Sequence, residues 1–243
     1  MIPRKWVVGF ALIFLTACGG ESVEQIQVSV PEGVTVPQDM VYIPAGKFIM
    51  GSPKDPRTLL GKKVDQPAFL IDRFEVTRED FKKWDKDYPP FAGKGNYPAQ
   101  EITWSQADQY CRAQAKRLPT EIEWEKTARG TDGRKWPWGL YQDHPNNGFS
   151  GFLPEEVDER PEWISPYGVY GMGHNVWEWT ASDWDYPGMP EAERNQFKVI
   201  RGGLYQSHLK IDYSPTYARN FMAPDARYNF LGFRCAKDVG KKY

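Results

Sequence analysis

Residues 103–130, TWSQADQYCRAQAKRLPTEIEWEKTARG, decide the fold class because they carry the clearest helical pattern in the chain. In the first half of this stretch, Ser105 is predicted to cap a helix, with Asp108 three residues further on. Apolar positions then recur at helical spacing, so one face of this helix is expected to point inward. That face consists of Trp104, Ala107, Tyr110 and Cys111.

The second half of the stretch predicts another helix, with signals at both of its ends. Thr120 and Glu123 form a capping box at its start, and Gly130 ends it. Beyond residue 130 the helical periodicity disappears, and short aromatic segments, turns and prolines run to the C-terminus. Strands are predicted at KVIRGG (198–203) and LGFRCAKD (231–238).

Short strands are also predicted before these helices. Residues 40–52, MVYIPAGKFIMGS, alternate apolar and other side chains on both sides of a Pro-Ala-Gly turn at 44–46, which predicts a hairpin. A further strand over 68–77 leads to Thr77, which with Asp80 can cap a short helix. Well-marked helices combined with many short strands and long loops predict an α+β domain with little regular structure.

Composition narrows the range of functions. The chain has 243 residues, of which 40% are hydrophobic, and its formal net charge is −1. A charge so close to zero argues against nucleic acid as a partner. The mean hydropathy of −0.64 excludes an integral membrane body. Ten Trp, 13 Tyr and 13 Phe beside 22 Gly and 20 Pro predict an aromatic-rich, loop-rich domain rather than a helical bundle.

The N-terminus resembles a bacterial lipoprotein signal. A cationic start at residues 4–5 precedes an apolar run over 6–15 that is too short to be a permanent membrane span, and small residues then precede Cys18. We expect residues 1–17 to be a signal peptide, residues 18–38 to be the lipidated Cys18 and a tether, and residues 39–240 to be the domain. The alternative is an ordinary secretory signal with an incidental cysteine.

Lipidation would attach the chain to a membrane, and Gly19 after the cysteine favours the outer membrane, with the domain facing the periplasm or the cell surface. That compartment is oxidising, so disulfides persist there. With Cys18 assigned to lipid, Cys111 and Cys235 remain as an even pair. They form either a disulfide or two separately buried thiols, and their spacing does not decide between these.

Eight segments of this chain, in this order, resemble those of the formylglycine-generating enzymes, also called sulfatase-modifying factors. They cover roughly residues 40–238 and read MVYIPAGKFIMGSP, FEVTREDFKKW, YPAQEITWSQADQYC, KRLPTEIEWEKTARG, RKWPWG, YGVYGMGHNVWEWTASDW, VIRGG and LGFRCA. The resemblance implies a variant of the C-type lectin fold. It also implies a disulfide between Cys111 and Cys235, which secreted members of the family form.

The family's chemistry is not expected here. Its oxidases bind copper(I) through two cysteines shortly after the Gly-Gly pair, because the soft cuprous ion prefers thiolate ligands. Counted from Gly202 and Gly203, these positions fall near Ser207 and near Ile211 or Asp212, and residues 112–234 contain no cysteine. We therefore expect no copper. The candidates for any remaining catalytic chemistry in this segment are Ser207, His208 and Asp212.

The resemblance also implies two calcium sites, which this sequence matches incompletely. The first would use Asn147 and Gly148. The second would use the Glu178 carboxylate and two backbone carbonyls, but Gly171 stands where the family has an Asp or Asn side chain. The carbonyls belong to His174 and Val176. The alternative for both loops is a hydrogen-bonded structure without metal.

Two functions follow from these observations. The first is a lipid-anchored binding or structural module of the bacterial cell envelope that recognises a protein, peptide or glycan. Its expected binding surface consists of Tyr205, His208, Asp212, Tyr213, Tyr217, Arg219, Phe221 and Tyr228. The second is a divergent metal-dependent oxidoreductase centred on His208 and Asp212, which tailors a peptide, protein or siderophore in the periplasm.

Overall fold

The strands form two small sheets and two ribbons in the computed structural model of this protein, and several of them lie outside the segments in which the sequence predicts strands. The structure describes residues 25–53, 61–139, 154–186, 188–207 and 210–240, and for residues 204–207 and 210–213 it describes the backbone alone. Helices and strands are both present within these ranges and most segments between them are irregular, so the predicted α+β class is confirmed.

The helices are few and short. They are α1 (Arg78–Trp84), α2 (Trp104–Ala113) and α3 (Glu121–Arg129), with single 3₁₀ turns at Pro161–Trp163 and Glu191–Glu193. The strands are β1 (Met40–Ile43), β2 (Gly46–Met50), β3 (Lys62–Gln66), β4 (Phe69–Asp72), β5 (Trp177–Asp183), β6 (Lys198–Gly202), β7 (Leu204–Ser207), β8 (Lys210–Tyr213), β9 (Asn220–Met222), β10 (Leu231–Gly232) and β11 (Ala236–Asp238).

The strands pair in an order that differs from their order along the chain. One sheet has the order β1-β4-β11 and is antiparallel throughout. The other has the order β10-β5-β6-β9, in which β10 runs parallel to β5 and the remaining pairs are antiparallel. The ribbons are β2-β3 and β7-β8. Helix α3 packs against β2, β5 and β6, and therefore connects the β2-β3 ribbon to the four-stranded sheet.

Two strand predictions are corrected by this pairing. The predicted hairpin at 40–52 does not form, because β1 pairs with β4 whereas β2 pairs with β3. The single strand predicted over 231–238 is two strands, of which β10 joins β5 and β11 joins β4. Alternating apolar residues fix where a strand forms, but the partner depends on which buried strand is available, and β4 is buried at all four of its positions.

The helix caps agree with the predictions except at the start of α2. Thr77 caps α1, and α3 begins with the Thr120–Glu123 capping box and ends at Gly130. In α2 the cap is Thr103 rather than Ser105, because the Thr103 hydroxyl accepts a hydrogen bond from the Gln106 amide and the Gln106 side chain accepts one from the Thr103 amide. This reciprocal pair satisfies two backbone donors, which a single serine hydroxyl would not.

The disulfide between Cys111 and Cys235 lies in the larger core, as the resemblance implied. Both cysteines are buried, and their Cα atoms are 5.6 Å apart. Aromatic rings surround the bond. Phe81 lies 5.5 Å from the Tyr110 ring and 5.9 Å from the Phe233 ring, measured between centroids. The bridge therefore fastens α2 to the C-terminal segment within an apolar cluster.

The part of the predicted tether that the structure describes lies against the domain. Ile26 and Val28 pack on one core cluster, and the Ile26 amide donates a hydrogen bond to the Pro166 carbonyl at 2.8 Å. Val34 and Val36 pack on a second cluster that includes Leu70. Among the described residues, no helix has the length and apolar character needed to cross a membrane.

We expect loss of the disulfide to destabilise the domain by about 4–5 kcal/mol, because the bond closes a loop with a sequence separation of 124 residues in the unfolded chain. Replacing both Cys111 and Cys235 with Ala should lower the urea midpoint of unfolding accordingly. The double variant should also be insensitive to dithiothreitol in the denaturant, whereas the natural chain should lose stability when reduced. Equal midpoints for the two proteins under oxidising conditions would contradict this expectation.

Candidate functional site

The two positions that correspond to the family's copper ligands lie on one antiparallel ribbon. Residues 204–207 form β7 and residues 210–213 form β8, and in this pair Ser207 lies opposite Lys210 and Asp212 lies opposite Tyr205. His208 lies outside the described residues. The ribbon thus brings the backbone of Ser207 and that of Ile211 to adjacent register pairs, but it carries no sulfur.

The thiols elsewhere in the described chain do not replace these ligands. Cys111 and Cys235 are buried in their disulfide, and Cys18 lies outside the described residues. A hydroxyl and a carboxylate are hard donors, whereas copper(I) prefers soft ones. The residues present at the ribbon therefore do not fit the family's copper centre.

Two glycines determine how the chain leaves β6 and begins the ribbon. Gly202 and Gly203 have φ angles of +74° and +68°, in the left-handed region. A Cβ atom at Gly203 would lie 2.5 Å from the Trp177 ring, and one at Gly202 would lie 2.9 Å from the Trp124 ring. The backbone therefore passes directly over two buried tryptophans, and a side chain at either position would force it away.

A network of buried charges lies next to these glycines. Nη1 of Arg201 donates a hydrogen bond to Oε1 of Glu121 at 2.6 Å, and Nη2 donates to Oε2 of Glu125 at 2.8 Å. Arg219 donates to both oxygens of Glu121, at 2.6 and 2.8 Å. Burial alone would lower the pKa of Arg219, but its hydrogen bonds and charge interaction with Glu121 raise the pKa instead. The carboxylates of α3 thus hold β6 and the segment after the ribbon together.

The predicted binding surface divides into exposed and internal residues. Arg219 is buried and bound to Glu121, so it is a structural residue and its assignment to the surface is corrected. Tyr217 is half-buried, with the Arg129 guanidinium 5.4 Å from its ring centroid. Phe221 and Tyr228 are exposed, at 41% and 44%. Of Tyr205, Asp212 and Tyr213 the structure describes the backbone in β7 and β8.

The exposed aromatic residues rest on other rings. Phe221 lies on the edge strand β9, 4.8 Å from the Trp184 ring and 5.1 Å from the Phe197 ring. Tyr228 stacks on Phe230, with centroids 4.9 Å apart. Rings held in this way lose little conformational freedom on binding, which suits recognition.

The loop expected to bind the second calcium ion has its carboxylate engaged by protein donors. Glu178 is fully buried, and Arg234 donates to each of its oxygens at 2.7 Å. The indole of Trp124 donates to Oε2 of Glu178 at 2.9 Å. The described residues contain no group of three or more His, Cys, Asp or Glu side chains that could hold a metal ion. Asn147 and Gly148, expected at the first calcium site, lie outside the described residues.

A second carboxylate occupies the place of the missing side chain at Gly171. A Cβ atom added at Gly171 would overlap the Glu75 carboxylate. Oε1 of Glu75 accepts a hydrogen bond from Asn175 at 3.1 Å, and Oε2 lies 3.6 Å from Nη2 of Arg234. The second loop therefore contains an internal cluster of two carboxylates and one guanidinium, in which Oε2 of Glu75 is buried without a hydrogen-bond partner.

Burial dominates the electrostatics of this cluster. Burial raises the pKa of Glu75 to about 7. The charge of Arg234 acts to lower this pKa, whereas the charge of Glu178 acts to raise it. Sequence reasoning missed Glu75 and Arg234 as members of a site, as it missed Arg201, Glu121 and Glu125. The signal available for the last two is their i, i+4 spacing on the same face of α3 as Trp124 and Ala128, which are buried.

Comparisons with known proteins support this description of the fold. The solved structure of Treponema denticola variable protein 1 superimposes with a TM-score of 0.66 at 23% identity, covering 82% of this chain and 94% of that one. The domain is therefore a formylglycine-generating-enzyme-like variant of the C-type lectin fold.

The family follows from sequence comparison. The Sulfatase-modifying factor enzyme 1-like domain matches residues 26–239, so the chain belongs to this family. The uncharacterized protein YfmG of Bacillus subtilis is 28% identical over 82% of this chain, which spans 54% of the length of YfmG. The inactive C-alpha-formylglycine-generating enzyme 2 of Bos taurus is 28% identical over 84% of this chain and 89% of its own length. Proteins named formylglycine-generating enzyme match as well.

We expect Glu121→Gln to destabilise the domain by about 3–5 kcal/mol, because it leaves two buried guanidinium groups without a full countercharge. Urea unfolding followed by tryptophan fluorescence measures the change. Glu191→Gln is the matched control, since its ion pair with Arg194 is exposed and such pairs contribute little. A loss below about 1 kcal/mol for Glu121→Gln would contradict a central role for this carboxylate.

We expect Glu75→Gln to become progressively more stable relative to the natural chain as the pH rises from 4.5 to above 7. The folded state holds a proton on Glu75 over this window that the unfolded state has released, so the free energy of unfolding falls as the pH rises through it. The change in the difference is of order 3 kcal/mol. Urea unfolding at several pH values, with chelator present, measures it.

The control for this measurement is Glu79→Gln, because Glu79 forms an exposed pair with Lys83. Asp72, whose pKa burial also raises, is common to all three proteins and cancels in the comparison. A stability difference between Glu75→Gln and the natural chain that stays constant with pH would show that Glu75 remains ionised in the folded protein.

Proposed function

We propose that this chain is a lipid-anchored member of the family that does not generate formylglycine and acts as a binding or structural module of the bacterial cell envelope. One observation carries the proposal. The segment after Gly202 and Gly203 continues as a ribbon in which Ser207, Ile211 and Asp212 stand where the oxidases need two cysteines. Oxygen activation by copper therefore lacks its ligands.

The rest of the domain retains its stabilising contacts, which supports a binding role for the chain rather than the loss of all function. The disulfide, the capped helices and the charge network under the ribbon all stabilise the part of the fold from which the ribbon projects. A surface built on a rigid frame is suited to recognition, because its loops can vary without loss of the core. The similarity to an inactive C-alpha-formylglycine-generating enzyme supports the same conclusion.

The envelope location rests on the N-terminal sequence. Small residues precede Cys18, and a short apolar run precedes them, as in lipoprotein signals. Acyl chains on the cysteine would anchor the chain to the outer membrane. The anchored chain would bind its unidentified protein, peptide or glycan partner at that membrane.

We expect the full chain to leave a sulfatase-derived cysteine peptide unmodified when supplied with copper(I) and air. Mass spectrometry of the peptide measures aldehyde formation, and a family member that retains both cysteines is the positive control. Formation of the aldehyde at a rate comparable to that control would overturn the proposal. A stoichiometric redox metal that is lost in a His208→Ala variant would instead favour the oxidoreductase alternative.

The binding and anchoring parts of the same proposal have their own measurements. A photo-crosslinking amino acid at Phe221 or Tyr228 should give one defined envelope adduct, whereas the same substitution at Tyr186 should not. Tyr186 is a matched control because it is exposed to a similar extent but lies outside the expected surface. Cys18→Ser should release the chain from the membrane fraction, and its retention there would contradict lipid anchoring.

A further inference from the structure

A cavity of about 260 Å³, separate from the ribbon surface, has acidic side chains as five of its twelve lining residues. Its charged lining residues are Asp39, Asp72, Glu75, Asp80, Asp158 and Lys116. Glu75 is buried beside Arg234, so the excess of negative charge comes from the other four carboxylates, which face the one ammonium of Lys116. A concave site with so strong an excess of one sign concentrates ligands of the opposite sign.

The single lysine neutralises one side of the cavity only. Nζ of Lys116 lies 2.6 Å from Asp39 and 2.7 Å from Asp72. Asp158 enters from a different loop and accepts a hydrogen bond from the neutral amide of Asn96 at 2.8 Å. Asp80 is bound by Lys83 on the exposed surface of α1. The negative potential of the cavity is thus reduced by Lys116 but not cancelled.

The hydroxyl of Tyr110 is a second, independent feature of this cavity. Tyr110 is 8% exposed, and its ring packs among aromatic neighbours, with centroids 5.7 Å from Trp84 and 5.5 Å from Phe233. Tyr110 is one of the residues that line the cavity. Its hydroxyl forms no hydrogen bond with any residue that the structure describes, and it is not one of their buried atoms that lack a partner, so solvent or a ligand can reach it.

The electrostatic environment of Tyr110 agrees with this position. Burial raises the pKa of its hydroxyl, and the negative charges of Asp80, Asp72 and Asp39 raise the pKa further. The hydroxyl is therefore within electrostatic reach of these three carboxylates. A donor from a ligand would be the partner that it lacks.

The arrangement favours an organic cation over a metal ion. Calcium requires six to eight oxygens at short distance, and in the described part of the chain no three acidic, histidine or cysteine side chains converge in that way. Carboxylates spread around a cavity, with the aromatic rings of Phe74 and Tyr110 in its wall, match an ammonium or guanidinium group on an alkyl stem.

We propose that this cavity binds an alkylammonium or guanidinium group, with Asp80 and Asp158 as its countercharges and the Tyr110 hydroxyl as a hydrogen-bonding partner. The group belongs to a free diamine or to a Lys or Arg side chain of a polypeptide, which share this chemistry. The inference goes beyond the proposed function, and it does not depend on lipid anchoring or on the ribbon surface.

The test is calorimetric titration of the full chain, purified in detergent, with two probes. One probe is 1,5-diaminopentane and the other is Nα-acetyl-lysine amide, each beside a neutral analogue in which a hydroxyl or methyl group replaces the ammonium. We expect binding of at least one charged probe and none of the neutral analogues. Binding should weaken as salt is raised, because exposed charge interactions are screened.

Three variants locate the site. The double variant Asp80→Asn/Asp158→Asn should bind at least about tenfold more weakly, and Tyr110→Phe about threefold more weakly. Asp158→Asn alone should also weaken binding, and since Asp158 is exposed this change leaves the fold undisturbed. Asp225→Asn, an exposed carboxylate that does not line the cavity, should bind as the natural chain does.

The relative affinity of the two probes distinguishes the sources. Tighter binding of the diamine indicates a free small molecule, and tighter binding of the lysine derivative indicates a polypeptide side chain. Absence of binding by both charged probes would overturn the proposal. So would undiminished binding by Asp80→Asn/Asp158→Asn, or displacement of the diamine by an equal concentration of Ca²⁺.

Discussion

Glu121 on α3 accepts hydrogen bonds from the guanidinium groups of Arg201 and Arg219, so three distant parts of the chain meet at one buried carboxylate. A buried charge is tolerated only when it is paired and hydrogen-bonded, and this requirement fixes the geometry of each partner. Strand β6 cannot shift relative to α3 without separating Arg201 from Glu121. The two glycines that follow Arg201, and the ribbon that they begin, therefore leave the domain at a fixed position. The surface of this protein depends on that constraint.

The residues that impose this constraint are also distinct from the positions that correspond to the copper ligands of the family's oxidases. The charge network involves α3, β6 and the segment around Arg219, whereas the copper positions lie on the ribbon beyond Gly203. The ribbon contains no cysteine, and the disulfide, the helix caps and the buried ion pairs are nevertheless all present. A family with such a frame can include members with different functions.

Local features of the fold could be predicted from the sequence, and non-local ones could not. The capping box at Thr120 and the terminal Gly130 are local, since each involves contacts within one turn of helix, and both are confirmed. The observed cap of α2 lies two residues before the predicted one. Ser105 and Thr103 both carry a hydroxyl that can cap a helix, and the Gln106 side chain, which accepts a hydrogen bond from the Thr103 amide, favours Thr103. Strand partners were predicted incorrectly, because alternation says nothing about which strand lies alongside. The Glu75 carboxylate at Gly171 joins positions far apart in the chain, and no short motif reveals such a contact.

Glu75 also shows why a departure from a family motif has to be interpreted in three dimensions. In the sequence, Gly171 lacks the Asp or Asn side chain that the family uses as a calcium ligand at this position. In the structure, the space beside Gly171 is filled by a carboxylate from another segment, and Arg234 supplies a positive charge close to both Glu75 and Glu178. A guanidinium differs from a calcium ion in that it is covalently part of the chain and is always present. The loop consequently carries a positive charge of its own beside two carboxylates, of which Glu75 holds a proton below a pH of about 7. For a domain built on long irregular loops, an internal cation of this kind stabilises the loop wherever the chain is located.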